Sequence, residues 1–315
     1  DDDGKSKSVE IAWEDRLDES LYDSIADSSF VTVGVEKDVK YKTVYKKFLT
    51  AYDAVDYLND HLEDGMVVNV KGNIGYSEYD GNVSTKKEIT SIVLSKMEEA
   101  DFRAIFSQTI LVDSKSIGKK NEDKGTMELA CYVVDYVGKP KIDGKKVEVK
   151  KNVSFPKTFE VAINENPEIT AKMLQRFFKP KKGKITEVTV TGNLVEGGST
   201  VTITEDDIPD DIKELIEMGL YSEEEAEKKI AVGNGNRERR MIIVKPDIAY
   251  VGNGDERKPT VAFEDSKYDE EDLYFYEQAL SDAGVEPEED SNSSTSNEEV
   301  ASEDDELLAM LAGIE

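Results

Sequence analysis

The sequence predicts a mainly β protein: two small five-stranded barrels in tandem, short helices between strands, and a disordered acidic C-terminal tail. Three observations predict it. Segments rich in β-branched and aromatic residues, alternating with polar ones, recur between Val31 and Val251. A local signature, Val68-Asn69-Val70-Lys71-Gly72-Asn73-Ile74, returns 120 positions later as Val188-Thr189-Val190-Thr191-Gly192-Asn193-Leu194. The charge is also uneven. Of a net −29, residues 259–315 carry −18, from 1 basic and 19 acidic side chains, while residues 31–200 are near neutral, with 27 basic and 25 acidic.

The elements follow in order. Residues 1–29 form an acidic N-terminal segment in which Trp13, Leu17, Leu21 and Ile25 are spaced for one face of a short helix. The first barrel spans 30–100. Val31–Val35 and residues 43–50 read as strands, and Tyr52–Leu62 as a helix with Val55, Leu58 and Leu62 on its inner face. Gly65 ends it. A long strand, Met66–Tyr79, then turns at Asp80-Gly81-Asn82 and returns through Ile89, Ile92 and Leu94, since Asp-Gly between alternating segments signals a hairpin.

The second barrel spans 101–258. Strands are expected over Phe102–Val112, Met127–Val137 and Val153–Ile163, then a helix over Ile169–Phe178 and a strand over Ile185–Val195. That strand is expected to turn at Glu196-Gly197-Gly198 and return through Val201–Thr204. Residues 205–230 read as a helical insertion, with a helix from Asp210 to Met218, and Arg239–Val251 as a further strand. Three strands, a short helix and a two-strand hairpin is the order of the OB-fold, a five-stranded Greek-key barrel. Within residues 259–315, the stretch from Ala283 to Glu306 is too polar to offset the entropy of ordering. The apolar tip Leu307, Leu308, Met310, Leu311 and Ile314 then follows an acidic run.

Composition excludes several chemistries. With one cysteine (Cys131) and one histidine (His61), the chain forms no internal disulfide and no Cys/His zinc site. A catalytic triad would need His61, which lies among Asp60, Glu63 and Asp64. No Walker pattern occurs, and the acids Glu205-Asp206-Asp207 and Asp210-Asp211 read as helix-start groups rather than metal ligands. The expectation is a protein that is not an enzyme and uses no cofactor or metal. With neither a signal peptide nor a membrane span in the pattern, it is expected to be cytoplasmic.

What remains is a mixture of lysines and aromatic rings. Binding a single strand without regard to sequence requires cations along the phosphates and flat faces for the bases. In the first unit Lys40, Tyr41, Lys42, Tyr45, Lys46, Lys47 and Phe48 fall close together, and Lys71, Tyr76, Tyr79, Lys86 and Lys87 flank the later strands. In the second unit Lys145, Lys146, Lys150, Lys151, Phe155 and Lys157 repeat the mixture. Arg176, Phe177, Phe178, Lys179, Lys181, Lys182 and Lys184 follow the helix.

The tandem barrels, acidic tail and apolar tip after Asp304 and Asp305 resemble single-stranded DNA-binding proteins, most closely those encoded by bacteriophages. The resemblance implies barrels that cover exposed single strands during replication and recombination. It also implies a tail that recruits replication or recombination proteins through Asp304, Asp305, Leu307, Leu308, Leu311 and Ile314. The −18 charge of residues 259–315 beside a near-neutral body predicts that this tail competes with DNA. The cytoplasm would then be that of a bacterial host. The bacterial members end in an acidic run followed by Pro-Phe, whereas this chain ends Leu311-Ala312-Gly313-Ile314-Glu315. The alternative reading is an acidic protein-binding or virion-type structural module with no affinity for nucleic acid.

Overall fold

The computed structural model describes residues 9–79, 81–142, 144–198, 208–222, 226, 237–252 and 257–285. The chain divides into two compact units, Asp1–Phe102 and Arg103–Glu315.

The N-terminal segment is not a continuous helix. It forms three 3-10 turns, Trp13–Asp15, Glu19–Ser24 and Asp27–Ser29. Asp18, in extended conformation, accepts a hydrogen bond from Ser20 N and starts a new turn in the middle of the expected stripe. The segment is fastened by Arg16, whose Nε lies 3.0 and 3.2 Å from the two carboxylate oxygens of Asp53, and by the Tyr22–Phe30 ring pair at 4.8 Å.

Four strands and one helix follow: β1 (Val31–Lys37), β2 (Thr43–Phe48), α1 (Ala51–His61), β3 (Val68–Tyr79) and β4 (Asn82–Leu94). Their spatial order is β2-β1-β4-β3, with β1 parallel to β4 and the other pairs antiparallel. Among the described residues, β2 and β3 are edge strands, so the expected five-stranded barrel is corrected to an open four-stranded sheet. The described residues before β1, from Val9, make turns and supply no strand to join the two edges. Thr50 caps α1 by accepting from Asp53 N. The helix packs Ala54, Tyr57 and Leu58 on Val33, Val35, Phe48, Val68 and Ile92. Val55, expected inside, is 64% exposed. Tyr57 takes the inner position because its ring meets Phe48 while its hydroxyl reaches Glu36.

The second unit contains β5 (Ile105–Val112), β6 (Ile117–Asn121), β7 (Thr126–Val137), the small ribbon β8 (Lys141–Ile142) and β9 (Lys145–Lys146), β10 (Lys151–Ala162) and α2 (Pro167–Phe177). It continues with β11 (Lys184–Gly198), α3 (Asp210–Glu217), β12 (Arg237–Pro246), β13 (Ile248–Val251), β14 (Lys258–Val261), β15 (Phe263–Asp269) and α4 (Tyr276–Asp282). Strands β5, β7, β10, β12 and β11 pair in that order, and β11 pairs back onto β5, closing a five-strand barrel. Only the β10–β12 contact is parallel. Alternate residues point inward, so Ile110, Leu129, Val133, Phe155, Phe159, Val188 and Ile243 fill the barrel with almost no exposure.

Two expectations here are corrected. Residues Glu196–Gly198 are not a turn: they continue β11 opposite Arg239, Glu238 and Arg237, so the partner strand arrives after a long connection. The expected return strand over 201–204 lies outside the described residues, as do Glu205, Asp206 and Asp207. Nor are residues 259–282 tail. Strand β15 pairs with β11, Ser154 N donates to Tyr274 O, and Tyr276 and Ala279 are buried. Apolar side chains spaced among the acids make that docking possible. The remainder of the expected tail, from residue 286, lies outside the described residues.

The repeated signature marks one physical device. In each copy the register slips at the glycine, between Lys71 and Gly72 and between Thr191 and Gly192. The extra residue of the β-bulge, Thr90 of β4 or Val244 of β12, is on the partner strand. A Cβ on Gly72 would stand 2.1 Å from the carbonyl oxygen of Glu88, and one on Gly192 2.1 Å from that of Ile242 and 2.7 Å from the Phe106 ring. Gly72→Ala and Gly192→Ala should therefore each cost roughly 1–3 kcal/mol. Trp13 emission reads the first unit. Labelling of Cys131 reads the second, because that thiol is 3% exposed and burial holds its pKa well above the ordinary range. Unfolding in denaturant should shift earlier for Trp13 in the first variant, and Cys131 labelling should begin earlier in the second; unchanged midpoints would contradict the close approach.

Candidate nucleic-acid interface

In the first unit the β1–β2 connection is tightly built. The Asp38 carboxylate accepts from Lys40 N and Lys42 N, both at 2.8 Å, and backbone bonds join Asp38 to Lys42 and Tyr41. Lys40 and Lys42 are exposed, Tyr41 is 85% exposed, and Tyr41 holds φ at +59°. Backbone in this left-handed region costs a tyrosine about 1–2 kcal/mol. The ring is thus fixed in solvent at some expense to stability.

Strand β2 divides its side chains between two faces. Lys46 pairs with Val33 on the helix side, its Nζ 4.4 Å from the Tyr57 ring centroid. Tyr45 lies on the other side, against Gly34, where a Cβ would come within 3.2 Å of the ring. It is 62% exposed. Lys71 stands on that same side, since it is in register with Ser91, and Ser91 with Thr32. Lys47 also projects there and pairs with Asp27 at 2.7 Å. The helix face of the unit carries the acids Asp56, Asp60, Glu63 and Asp64 instead. An anion therefore meets cations and a tyrosine on one side, and carboxylates on the other.

The hairpin end of the unit is less favourable. Tyr79 is 79% exposed and Lys87 is exposed, but Lys86 is ion-paired with Glu88. Tyr76 is buried, at 7%, and so offers no face to a base. The alternation that brings Tyr79 into solvent sends Tyr76 inward.

In the second unit the structure overturns the proposed aromatic platforms. Phe155 and Phe178 have no exposed surface and belong to the core. Lys150 pairs with Glu148. Lys151 is held by Asp282 at 3.0 Å and the Tyr274 hydroxyl at 2.8 Å, and Lys184 by Asp269 at 2.6 Å. Arg176, Lys181 and Lys182 are exposed, and Lys179 is half-buried. Asp304, Asp305, Leu307, Leu308, Leu311 and Ile314 lie outside the described residues. No helix among the described residues is long and apolar enough to cross a membrane.

A different set of cations gathers on the barrel. Two clefts, of about 300 and 180 Å³, meet at Lys157 and Thr158 on β10. The first adds Asp113, Lys115, Tyr132 and Pro156; the second adds Lys124, Glu160, Arg239 and Arg240. Burial lowers the pKa of Lys157. Arg240 Nε donates to Glu160 at 2.6 Å, and Thr126 Oγ1 donates to the same carboxylate at 2.6 Å. Lys115, Lys124, Arg239 and Arg240 form no cluster in the sequence. Only the parallel pairing of β10 with β12, placing Glu160 opposite Ile242, brings the arginines beside Lys157.

The YorF family model matches residues 30–229, well over half of the chain, and the chain belongs to the YorF family. No curated protein sequence matches it.

The Glu160–Arg240 pair has a pH signature. The Arg240 hydrogen bond, opposed by burial and aided by Thr126, holds the Glu160 carboxyl below its ordinary value of 4.5. A group with a depressed pKa stabilises the fold above its unfolded value and loses that contribution as pH falls through the folded one. Glu160→Gln should therefore be destabilising at neutral pH, with the gap from the parent narrowing as pH drops below 4.5. Urea unfolding across that range checks it, and a gap independent of pH would refute it.

Proposed function

We propose that this YorF-family chain binds single-stranded DNA without regard to sequence and covers it during replication or recombination. The observation that carries the reading is in the first unit. Tyr45 and Lys71 are exposed on the side of the sheet away from the acidic helix, with Lys47 on that side paired to Asp27, and the β1–β2 connection exposes Lys40, Tyr41 and Lys42. Lysines displace counterions from phosphates, and tyrosine rings accept any base as a stacking partner.

The barrel supports the same reading from its topology. A closed ring of five strands, the third parallel to the fifth, with a helix between the third and fourth, is the pattern expected of an OB-fold. Such barrels bind oligonucleotides on the face of strands two and three. Here those strands are β7 and β10, and the Lys115–Lys157–Arg240 clefts lie along them. Lys151 and Lys184 contribute less, because the ordered acids Asp282 and Asp269 already neutralise them. Within this reading the apolar tip Leu307–Ile314 recruits replication proteins, and the acids before it compete with DNA.

The test is fluorescence anisotropy of labelled oligothymidylate against a duplex of equal length, at several salt concentrations. Binding to the single strand, weakening as salt rises, is expected. Tyr45→Ala should lose roughly 1–3 kcal/mol of binding, the worth of one stacked base. Tyr41→Asn should lose a similar amount while leaving the fold as stable or more so, since asparagine tolerates positive φ. Phe155→Leu and Phe178→Leu should lower stability and leave binding by the folded protein unchanged. No binding at low salt would return the chain to the acidic protein-binding reading.

A further inference from the structure

Three large apolar side chains are exposed among the acids of α1 and its C-cap. Tyr52 and Val55 are 65% and 64% exposed, and Leu62 is 43% exposed. Tyr52 and Val55 are one turn apart and Leu62, the C-cap residue, follows two turns later, so the three run along one flank of the helix, bordering the Leu58 row that packs on the sheet. The stripe is extended by Trp13, 58% exposed, whose ring centroid is 6.1 Å from that of Tyr52.

Trp13 is held rather than loose. The Arg16 guanidinium lies 4.0 Å from its ring centroid, and Arg16 Nη1 donates to Trp13 O at 2.8 Å. Arg16 is itself fixed by the buried Asp53 carboxylate. A pre-oriented, exposed tryptophan loses little freedom on binding, which is the character of an interface anchor. Apart from Arg16, which is paired with Asp53, the charges on the described N-terminal segment and on α1 are acidic: Glu14, Asp15, Asp56, Asp60 and Glu63 are exposed. A phosphate backbone is repelled there.

We propose that Trp13, Tyr52, Val55 and Leu62 form a docking surface for a basic amphipathic segment of another protein. Its apolar side chains lie along the stripe, and its lysines or arginines meet the acids on either side. This surface is separate from the tyrosine and lysine face of the same sheet and does not depend on DNA binding.

Trp13 is the only tryptophan, so its emission reports this site alone. The full chain is titrated with a Lys/Leu peptide patterned for one apolar helix face, with a Glu/Leu peptide of the same pattern, with polylysine and with oligothymidylate. The expected result is a saturable blue shift with the Lys/Leu peptide only, weakened by salt. Val55→Ser, whose side chain leaves the fold's core untouched, should weaken that binding about tenfold. Asp56→Lys with Glu63→Lys should transfer the preference to the Glu/Leu peptide. The proposal fails if the Lys/Leu peptide produces no shift, or if Val55→Ser leaves its affinity unchanged. It fails equally if polylysine or oligothymidylate shifts the emission as much, or if raising the protein concentration alone does so, which would assign the face to a second copy.

Discussion

At Gly72 and at Gly192 a strand runs so close to a neighbouring carbonyl that no side chain fits between them, and much of each unit's form follows from that contact. The bulge opposite each glycine, at Thr90 in β4 and at Val244 in β12, bends and twists the partner strand, which stays paired with the glycine strand on both sides of it. In the second unit β11 then bends far enough to pair with β12 on one side and β5 on the other, and the barrel closes. The first unit has the same device but one strand fewer, so its curl ends in two free edges. On the side of that sheet away from α1, Tyr45 and Lys71 are exposed.

Electrostatics decides which of the many lysines remain available. A chain with net −29 has more than enough carboxylate to neutralise its cations locally. In the second unit it does so through ordered structure: Asp269 and Asp282, at the ends of β15 and α4, reach Lys184 and Lys151. Such exposed pairs contribute little to stability. Their effect is to reduce the positive field where α4 packs on β10; on the Lys115–Lys157 side Arg240 is likewise paired, with Glu160, and Arg239 with Glu196.

The strands and helices were largely legible because their signals are local. Alternation located β1 to β4, and the Asp80-Gly81 step located their hairpin. What the sequence did not disclose depended on partners distant along the chain. Whether the first unit closes turns on a fifth strand that no local pattern can supply or deny. Phe155 and Phe178 share the lysine-rich context of Tyr41 and Tyr45, yet strand alternation and the end of α2 turn them inward. The residues after Lys258 read as tail because 19 acids stand there against 1 basic residue, and only the pairing of β15 with β11 explains why the first of them fold. Arg239 and Arg240 become neighbours of Lys157 through one parallel register.

The first unit thus presents two aromatic surfaces of opposite electrostatic character. Tyr45 with Lys47 and Lys71 lies on the side of the sheet away from α1, and Trp13 with Tyr52 lies at the helix among carboxylates. Charge sorts their ligands before any contact is made, since each surface repels what the other attracts. On the two readings proposed, a DNA strand and a basic protein segment would occupy opposite sides of one small sheet without competing for a residue. Both would weaken with salt, for different reasons: counterion release from a polyanion at the first, and screening of discrete ion pairs at the second. Sequence drift that kept the fold but exchanged acids for lysines on α1 would merge the two surfaces, and a segment bound there would then be displaced by DNA.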